Sequence, residues 1–274
     1  MRRRSFRLRQ VGVTAVGVLV VPALGACGDS DGDTESAAPS VAVSPPLDEM
    51  CGDGQVPQAV AYDLDDGSFR WASCAEGNAY RSVRAVTDDA VYVQSSTGAS
   101  GGETLALDPA NGRVLIDAPA LPPVQSSGPS IEVDGFTVTG GQDDPTTVSD
   151  ADGNELWSQP GVWVYDDVWA IDDGAVFAFE RESSRLVAYE LESGEIRWEY
   201  AGDPYAEGLW PWHAEDGRVY TMWNNVQVRD AGTGDLRWAT AYPPPPNPDW
   251  RLSGVDADSE AVYVGVGTAA SSGD

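Results

Sequence analysis

The sequence predicts an all-β fold built from copies of one unit of about four strands, and three observations lead to this fold class. Two short patterns return together, five times each, at intervals of 39 to 45 residues. The 274 residues include 30 Gly and 19 Pro, spread along the chain as many strands joined by turns require. No segment after residue 28 keeps the 3.6-residue apolar period of a helix.

The first repeated pattern is an acidic turn that ends in Gly and is followed, four residues later, by Trp or Ile. Its clearest copies are VAYDLDDGSFRW at 60–71 and VAYELESGEIRW at 187–198. An Asp in such a turn can bond its own backbone, and a Trp has enough area to pack between neighbouring sheets. The five pairs are Gly67 and Trp71, Gly112 and Ile116, Gly153 and Trp157, Gly194 and Trp198, and Gly234 and Trp238.

The second repeated pattern is a turn followed by a β-branched and aromatic strand. Asp-Gly supplies the positive φ of a tight hairpin turn, and Val-Tyr-Val is typical of a strand. With the first pattern it gives about four strands per repeat, which predicts a β-propeller of about five four-stranded blades. The five copies are at 89–93, 134–138, 173–177, 216–220 and 260–264.

The repeat Leu-x-Ala-Leu-Asp-x-x-x-Gly-x-x-x-Trp resembles the pyrroloquinoline-quinone-type (PQQ-like) propeller repeat over residues 56–274. This resemblance implies the fold more than the function, because the repeated residues are structural. Quinone enzymes of the wider family hold their cofactor against an adjacent Cys pair, which this sequence lacks. We therefore expect no cofactor.

The two ends of the repeat region each hold half a blade. Residues 55–73 carry the second half, and residues 252–274 carry the first half. We expect the ends to join, so that N-terminal strands close the last blade and remove the open edges. Since propellers of the family more often have seven or eight blades, a truncated longer protein is the alternative.

The N-terminus has the pattern of an export signal. Residues 1–10 are basic, 11–24 are apolar, and the Leu-Gly-Ala-Cys sequence that ends at Cys27 resembles the lipobox of bacterial lipoproteins. The resemblance implies a signal peptide over 1–26, a lipid on Cys27 and an extracytoplasmic site at the cell membrane. An ordinary secretory signal is the alternative, and Arg3-Arg4-Ser5-Phe6 also resembles the twin-arginine motif.

Residues 27–50 lack aromatic side chains, so we expect a disordered tether that precedes a propeller over 51–274. Cys51 and Cys74 remain for one disulfide in an oxidising compartment, worth roughly 3 kcal/mol in the chain-entropy model. Two free thiols are the alternative.

The net charge of −28, with no Lys, predicts a soluble monomer that repels nucleic acid. Cation binding, including a weak calcium site, is the alternative use of the acids.

A single His, His213, excludes a multi-histidine zinc site, and we expect a structural or rim role for it. Many acids recur at turn positions of the repeat, which indicates structural work: Asp63, Asp108, Asp134, Asp173, Asp216 and Asp230.

Six Trp outside the repeated position are candidates for a binding surface, with burial between blades as the alternative. These six are Trp163, Trp169, Trp210, Trp212, Trp223 and Trp250.

The chain is similar to the BamB-like propeller family of lipoproteins from the outer-membrane assembly machinery. This similarity implies a non-catalytic scaffold for other exported or membrane proteins. An extracytoplasmic enzyme, carbohydrate-active or quinoprotein-like, is the alternative.

Overall fold

The structure is a computed structural model, and all of its described residues belong to the second of two compact units, 1–37 and 38–274. The predicted signal peptide and Cys27 lie outside the described residues. No helix in the described part is long and apolar enough to cross a membrane. The structure describes residues 40–43, 45, 49–53, 55–76, 81–95, 103–117, 120–122, 130–140, 144–160, 162–163, 170–203, 209–223, 225–241 and 250–268.

These residues form strands, without a helix among them. The strands are β1 (Ser40–Val43), β2 (Gln55–Asp63), β3 (Phe69–Glu76), β4 (Arg81–Thr87), β5 (Ala90–Ser95), β6 (Thr104–Leu107), β7 (Ser130–Val133), β8 (Phe136–Thr139), β9 (Thr146–Ser149), β10 (Glu155–Gln159), β11 (Val162–Trp163), β12 (Ala170–Asp172), β13 (Ala175–Glu180), β14 (Arg185–Glu190), β15 (Ile196–Ala201), β16 (Trp210–Glu215), β17 (Arg218–Met222), β18 (Val226–Asp230), β19 (Leu236–Ala241), β20 (Trp250–Ala257) and β21 (Ala261–Thr268).

The strands form five sheets, which are the blades, and the prediction of an all-β propeller with about five blades is confirmed. Blade 1 contains β4 to β6, with a bridge between Leu107 and Val114 in place of a fourth strand. Blade 2 contains β7 to β10, and blade 3 contains β11 to β15. Blade 4 contains β16 to β19, and β1 adds to it as a parallel fifth strand on β19.

The closing blade has the strand order β20-β21-β2-β3, so the two ends of the chain complete one sheet as predicted. β2 pairs antiparallel with β21, from Ala59 opposite Gly265 to Asp63 opposite Ala261. Cys74 of β3 forms a disulfide with Cys51, just before β2. Strand β1 lies inside the segment predicted to be a tether, so residues 40–43 of that segment are ordered against blade 4.

The hairpin turns have the backbone that the Asp-Gly pairs predict. Asp134, Asp173 and Asp216 have φ of 49°, 48° and 52°, and each is followed by a Gly with positive φ. Two successive residues with positive φ give the type I′ turn, whose twist matches that of the paired strands.

The repeated Trp and Gly meet across the junctions between blades. Trp238 of blade 4 lies on Gly67 of the closing blade, where an added Cβ would come within 2.6 Å of the ring. Its Nε1 donates a hydrogen bond of 2.8 Å to the carbonyl oxygen of Leu64. The same contact joins Trp71 to Gly112, Trp157 to Gly194 and Trp198 to Gly234, with Nε1 donating to Pro109, Leu191 and Ala231.

The junction between blades 1 and 2 is different. Ile116, which holds the Trp position in blade 1, is 95% exposed. An added Cβ at Gly153, the matching glycine of blade 2, would meet nothing within 4 Å. The turn from Asp150 to Gly153 is also one residue shorter than the other four, which changes where the glycine is placed.

The Trp contact predicts a large difference between two positions of the same repeat. Trp238→Ala should lower the free energy of unfolding by about 3–5 kcal/mol, because a fully buried indole and its hydrogen bond are lost. Ile116→Ala should change it by less than about 0.5 kcal/mol. Denaturant unfolding measures both, and equal losses would contradict the role of the junction contact.

The glycines allow a matched test of steric contact. Gly153→Ala should cost about 1 kcal/mol, for the left-handed backbone alone. Gly67→Ala, at a similar φ, should cost about 1–3 kcal/mol more, because its methyl group would overlap the Trp238 ring. Thermal unfolding of the two variants checks the difference, and a smaller loss at Gly67 would rule out the overlap.

Candidate interaction face

The propeller has two faces with different contents. We call one side of the propeller the turn face: it carries the Asp173-Gly174 and Asp216-Gly217 hairpins and the Gly turns of the repeat. Strands alternate in direction, so the loop face is the opposite side, where β16 and β20 begin and β17 ends.

An aromatic cluster lies at the loop face of blades 3 and 4. Trp210 packs against Phe179 with ring centroids 4.4 Å apart, and against Trp223 at 5.8 Å. The half-buried rings of Trp212 and Trp223 are the more exposed members of this cluster. Because partly exposed aromatic rings anchor protein partners, Trp212 and Trp223 make this cluster the candidate binding surface.

The six non-repeat Trp divide between core and surface. Trp210 is buried, with 3% exposure, so it fills the core between blades 3 and 4. Trp212 and Trp223 are half-buried. The backbones of Trp163 and Trp250 lie in β11 and at the start of β20, but their side chains are outside the described residues, as is Trp169 altogether.

His213 lies on β16, at the turn-face end of the innermost strands, among acids of three blades. Its Nε2 is 3.4 Å from Glu215 Oε2 and 3.5 Å from Asp256 Oδ1 of the closing blade. Asp172 of blade 3 accepts a 2.7 Å hydrogen bond from the Gly217 amide beside it. The Asp256 carboxylate also accepts a bond from the Val86 amide of blade 1. These contacts link four blades near the axis.

The pKa values of His213 and Asp256 are both raised. Burial lowers the pKa of His213, but the hydrogen bond to Glu215 and the charges of Asp256, Glu215 and Asp172 outweigh it, so the pKa is raised. Burial raises the pKa of Asp256, which the His213 charge opposes. The sequence did not predict Asp256 or Asp172 here, because the three inner strands are far apart in the chain.

The repeated acids are used by the turns. Asp63 Oδ1 accepts a bond of 3.0 Å from the amide two residues later, and the equivalent carboxylates of Asp108, Asp150 and Asp230 do the same. Such bonds hold the turns that carry Gly67, Gly112 and Gly234, whereas the turn of Gly194 has Glu190 in this position, bound by Arg197. Among the described residues, no group of three or more His, Cys, Asp or Glu side chains is arranged to hold a metal ion.

No protein-family model matches the chain, and no curated protein matches it either. Solved structures do. The quinohemoprotein alcohol dehydrogenase of Comamonas testosteroni is 19% identical over 40% of this chain and 20% of its own, with a TM-score of 0.32. BamB of Moraxella catarrhalis is 13% identical over 81% of this chain and 78% of its own, with a TM-score of 0.32. The computationally designed Ika8 protein is 13% identical over 80% and 69%, with a TM-score of 0.34.

These matches include a quinohemoprotein dehydrogenase and BamB, the two groups that the sequence repeat resembles. The chain spans a fifth of the length of the dehydrogenase. At these identities and TM-scores the likeness carries no argument about function. The fold itself is established by the five sheets and by their closure.

The His213 group gives a prediction that a single NMR signal can check. The imidazole of the chain's one His should titrate above its ordinary pKa of 6.5, and Asp256→Asn should lower that pKa because a facing charge is lost. The contribution of protonated His213 to the free energy of unfolding is complete below pH 6.5 and is lost as the pH rises through the raised pKa. Asp65→Asn, on an exposed turn, is the control. Equal His pKa values in the wild type and in Asp256→Asn would contradict the contact.

Proposed function

We propose that this chain is a membrane-anchored extracytoplasmic lipoprotein whose propeller is a protein-binding or scaffold module without catalysis. Its partners are other exported or membrane proteins. Residues 1–26 are the signal peptide, Cys27 carries the lipid, and the segment to residue 50 is the tether, with residues 40–43 fastened to blade 4.

The aromatic cluster of the loop face is the observation that carries this proposal. The repeated Trp and Asp serve the blades themselves, so they are not free to recognise a partner. Trp212 and Trp223 are outside the repeat and half-buried. Non-repeated, partly exposed aromatic side chains are typical of a protein-binding surface.

The anchor and the compartment rest on the sequence, and the disulfide supports them. A Cys51–Cys74 bond is typical of proteins outside the reducing cytosol. Cys27→Ser should move the protein from the membrane fraction to the soluble fraction and abolish labelling by a fatty-acid analogue. Retention in the membrane with undiminished labelling would defeat the anchor.

Photo-crosslinking tests the binding role. A photoreactive phenylalanine analogue in place of Trp223 on the loop face should capture defined exported proteins in native membranes, identified by mass spectrometry. The same analogue in place of Asp65, on the turn face and 88% exposed, is the matched control. No capture from position 223, or the same proteins in equal amount from both positions, would contradict a loop-face module.

The alternative is an extracytoplasmic enzyme, carbohydrate-active or quinoprotein-like, and one observation favours it. Asp256 is a half-buried carboxyl whose pKa is raised, next to His213, and such pairs occur at sites of acid–base chemistry. Trp fluorescence during titration with pooled glycans, quinone and calcium separates the two. A saturable response to glycan or quinone, with turnover that His213→Gln abolishes, would establish the enzyme.

A further inference from the structure

The direction of β1 determines the side of the propeller at which the preceding chain arrives. β1 pairs in parallel with β19, and its first residue, Ser40, lies opposite Trp238. Its last residue, Val43, lies opposite Ala241. β19 starts just after the Gly234 turn, on the turn face, and therefore ends at the loop face. Ser40 consequently lies toward the turn face, and Val43 lies toward the loop face.

The first strand of the closing blade starts on the opposite side. β2 ends at the turn that carries Gly67, on the turn face, so Gln55 at its start lies on the loop face. Cys51 is held near that side by its disulfide to Cys74, toward the loop-face end of β3. A chain that led straight from Cys27 to Cys51 would therefore reach the propeller at the loop face. β1 reverses this arrangement, because the chain meets blade 4 at the turn face first.

The chain connection helps to hold β1 on blade 4. β19 is the outer strand of the blade, so its edge can accept one more strand. Residues 44–50 alone separate β1 from Cys51, which the disulfide fixes. Pairing across so short a connection is an intramolecular event with a high effective concentration. We therefore expect β1 to stay on β19 when the chain before it is anchored.

We propose that β1 orients the propeller on the membrane, with the turn face toward the bilayer and the loop face away from it. This orientation rests on the lipid at Cys27, and so on the proposed function. Residues 28–39 lie between that lipid and β1, and a flexible chain of this length spans about 20 Å on average. For the loop face to approach the bilayer, the same chain would also have to pass along β19, roughly 20 Å for its six residues.

This orientation specifies the kind of partner that the aromatic cluster fits. The cluster lies on the loop face, so it faces the aqueous compartment, and its partner is a soluble exported protein. The turn face has exposed acids in its turns, among them Asp65, Asp152 and Glu192. Their charge prevents the turn face from resting on anionic lipids, so it faces the bilayer across the flexible segment without binding it.

Energy transfer to the bilayer tests the orientation. The chain is purified from membranes and added to preformed phosphatidylcholine vesicles, whose headgroups carry an acceptor dye. A fluorescent coumarin amino acid replaces either Glu192 on the turn face or Glu182 on the loop face, which are both exposed and lie beyond the two ends of β14. Because β14 separates the two positions by about 20 Å, transfer from position 192 should exceed transfer from position 182 at least about twofold.

Two variants remove β1. Val41→Pro with Ala42→Pro changes two successive residues, and alternate amides of an edge strand point to its neighbour, so one donor to β19 is lost wherever the bonds lie. Gly-Ser-Gly-Ser in place of residues 40–43 keeps the chain length and lowers the strand propensity. In both variants the chain enters at Cys51, so transfer from position 182 should become the larger.

A matched control changes the chain just before β1. Ser36→Pro with Ala37→Pro introduces the same two prolines outside the paired residues, and it should keep the wild-type order of transfer. Circular dichroism and thermal unfolding establish that all three variants are folded.

Three results would overturn the proposal: equal or reversed transfer in the wild type, an unchanged order after the loss of β1, or capture of membrane-embedded proteins alone from position 223. Failure of the proposed anchor gives a different result, which is a chain that does not bind to the vesicles and has a free thiol at Cys27. That thiol can be coupled to a maleimide lipid, and the orientation is then measured in the same way.

Discussion

The indole ring that lies flat on a turn glycine of the next blade is the contact on which the propeller depends. It requires a residue without a Cβ, because a methyl group at Gly67 or Gly112 would overlap the ring. It requires the backbone of the turn to be held, which the Asp carboxylate does by bonding the amide two residues later. It also requires a tryptophan, because Nε1 reaches a carbonyl of the same turn. One contact thus explains three repeated residue types.

Much of the fold could be predicted because these contacts join repeated positions at a constant interval. The period gave the blades, and the half-blades at each end gave the closing sheet of β2 and β21. The pattern could not show that Ile116 would be exposed, because an aliphatic residue in that place is compatible with packing. Nor could it predict β1, because the four residues Ser-Val-Ala-Val lie outside the repeat, within a segment rich in Gly, Asp, Ser and Pro.

The candidate sites were less predictable than the fold, because they join residues from different blades. The proximity of His213 to Asp256 arises from inner strands of two successive blades, which start at residues 210 and 250, one repeat apart in the chain. Trp210 and Trp212 are two residues apart, yet one is buried and the other half-buried, since the register of β16 shifts between Pro211 and His213. Local sequence cannot distinguish such neighbours.

The departures from the repeat are concentrated at one junction. The short turn at Asp150, the Ile at position 116 and the Leu at position 156 are each a small change in sequence. Together they leave the described parts of blades 1 and 2 without the indole contact and without a shared apolar cluster. Blade 1 also has the least complete outer strand. All three sequence changes therefore affect the same junction between blades 1 and 2.

The position of β1 decides how the propeller bears a mechanical load. Because β1 runs parallel to β19, a pull on the chain that precedes it acts along the strands, and the four residue pairs from Ser40 to Val43 resist in shear together. Force from that side thus meets the outer edge of blade 4 before it reaches β2. The Cys51–Cys74 disulfide then resists the same force before it acts on β2. Tension on the chain before residue 40 would therefore leave the closing sheet of β20, β21, β2 and β3 paired.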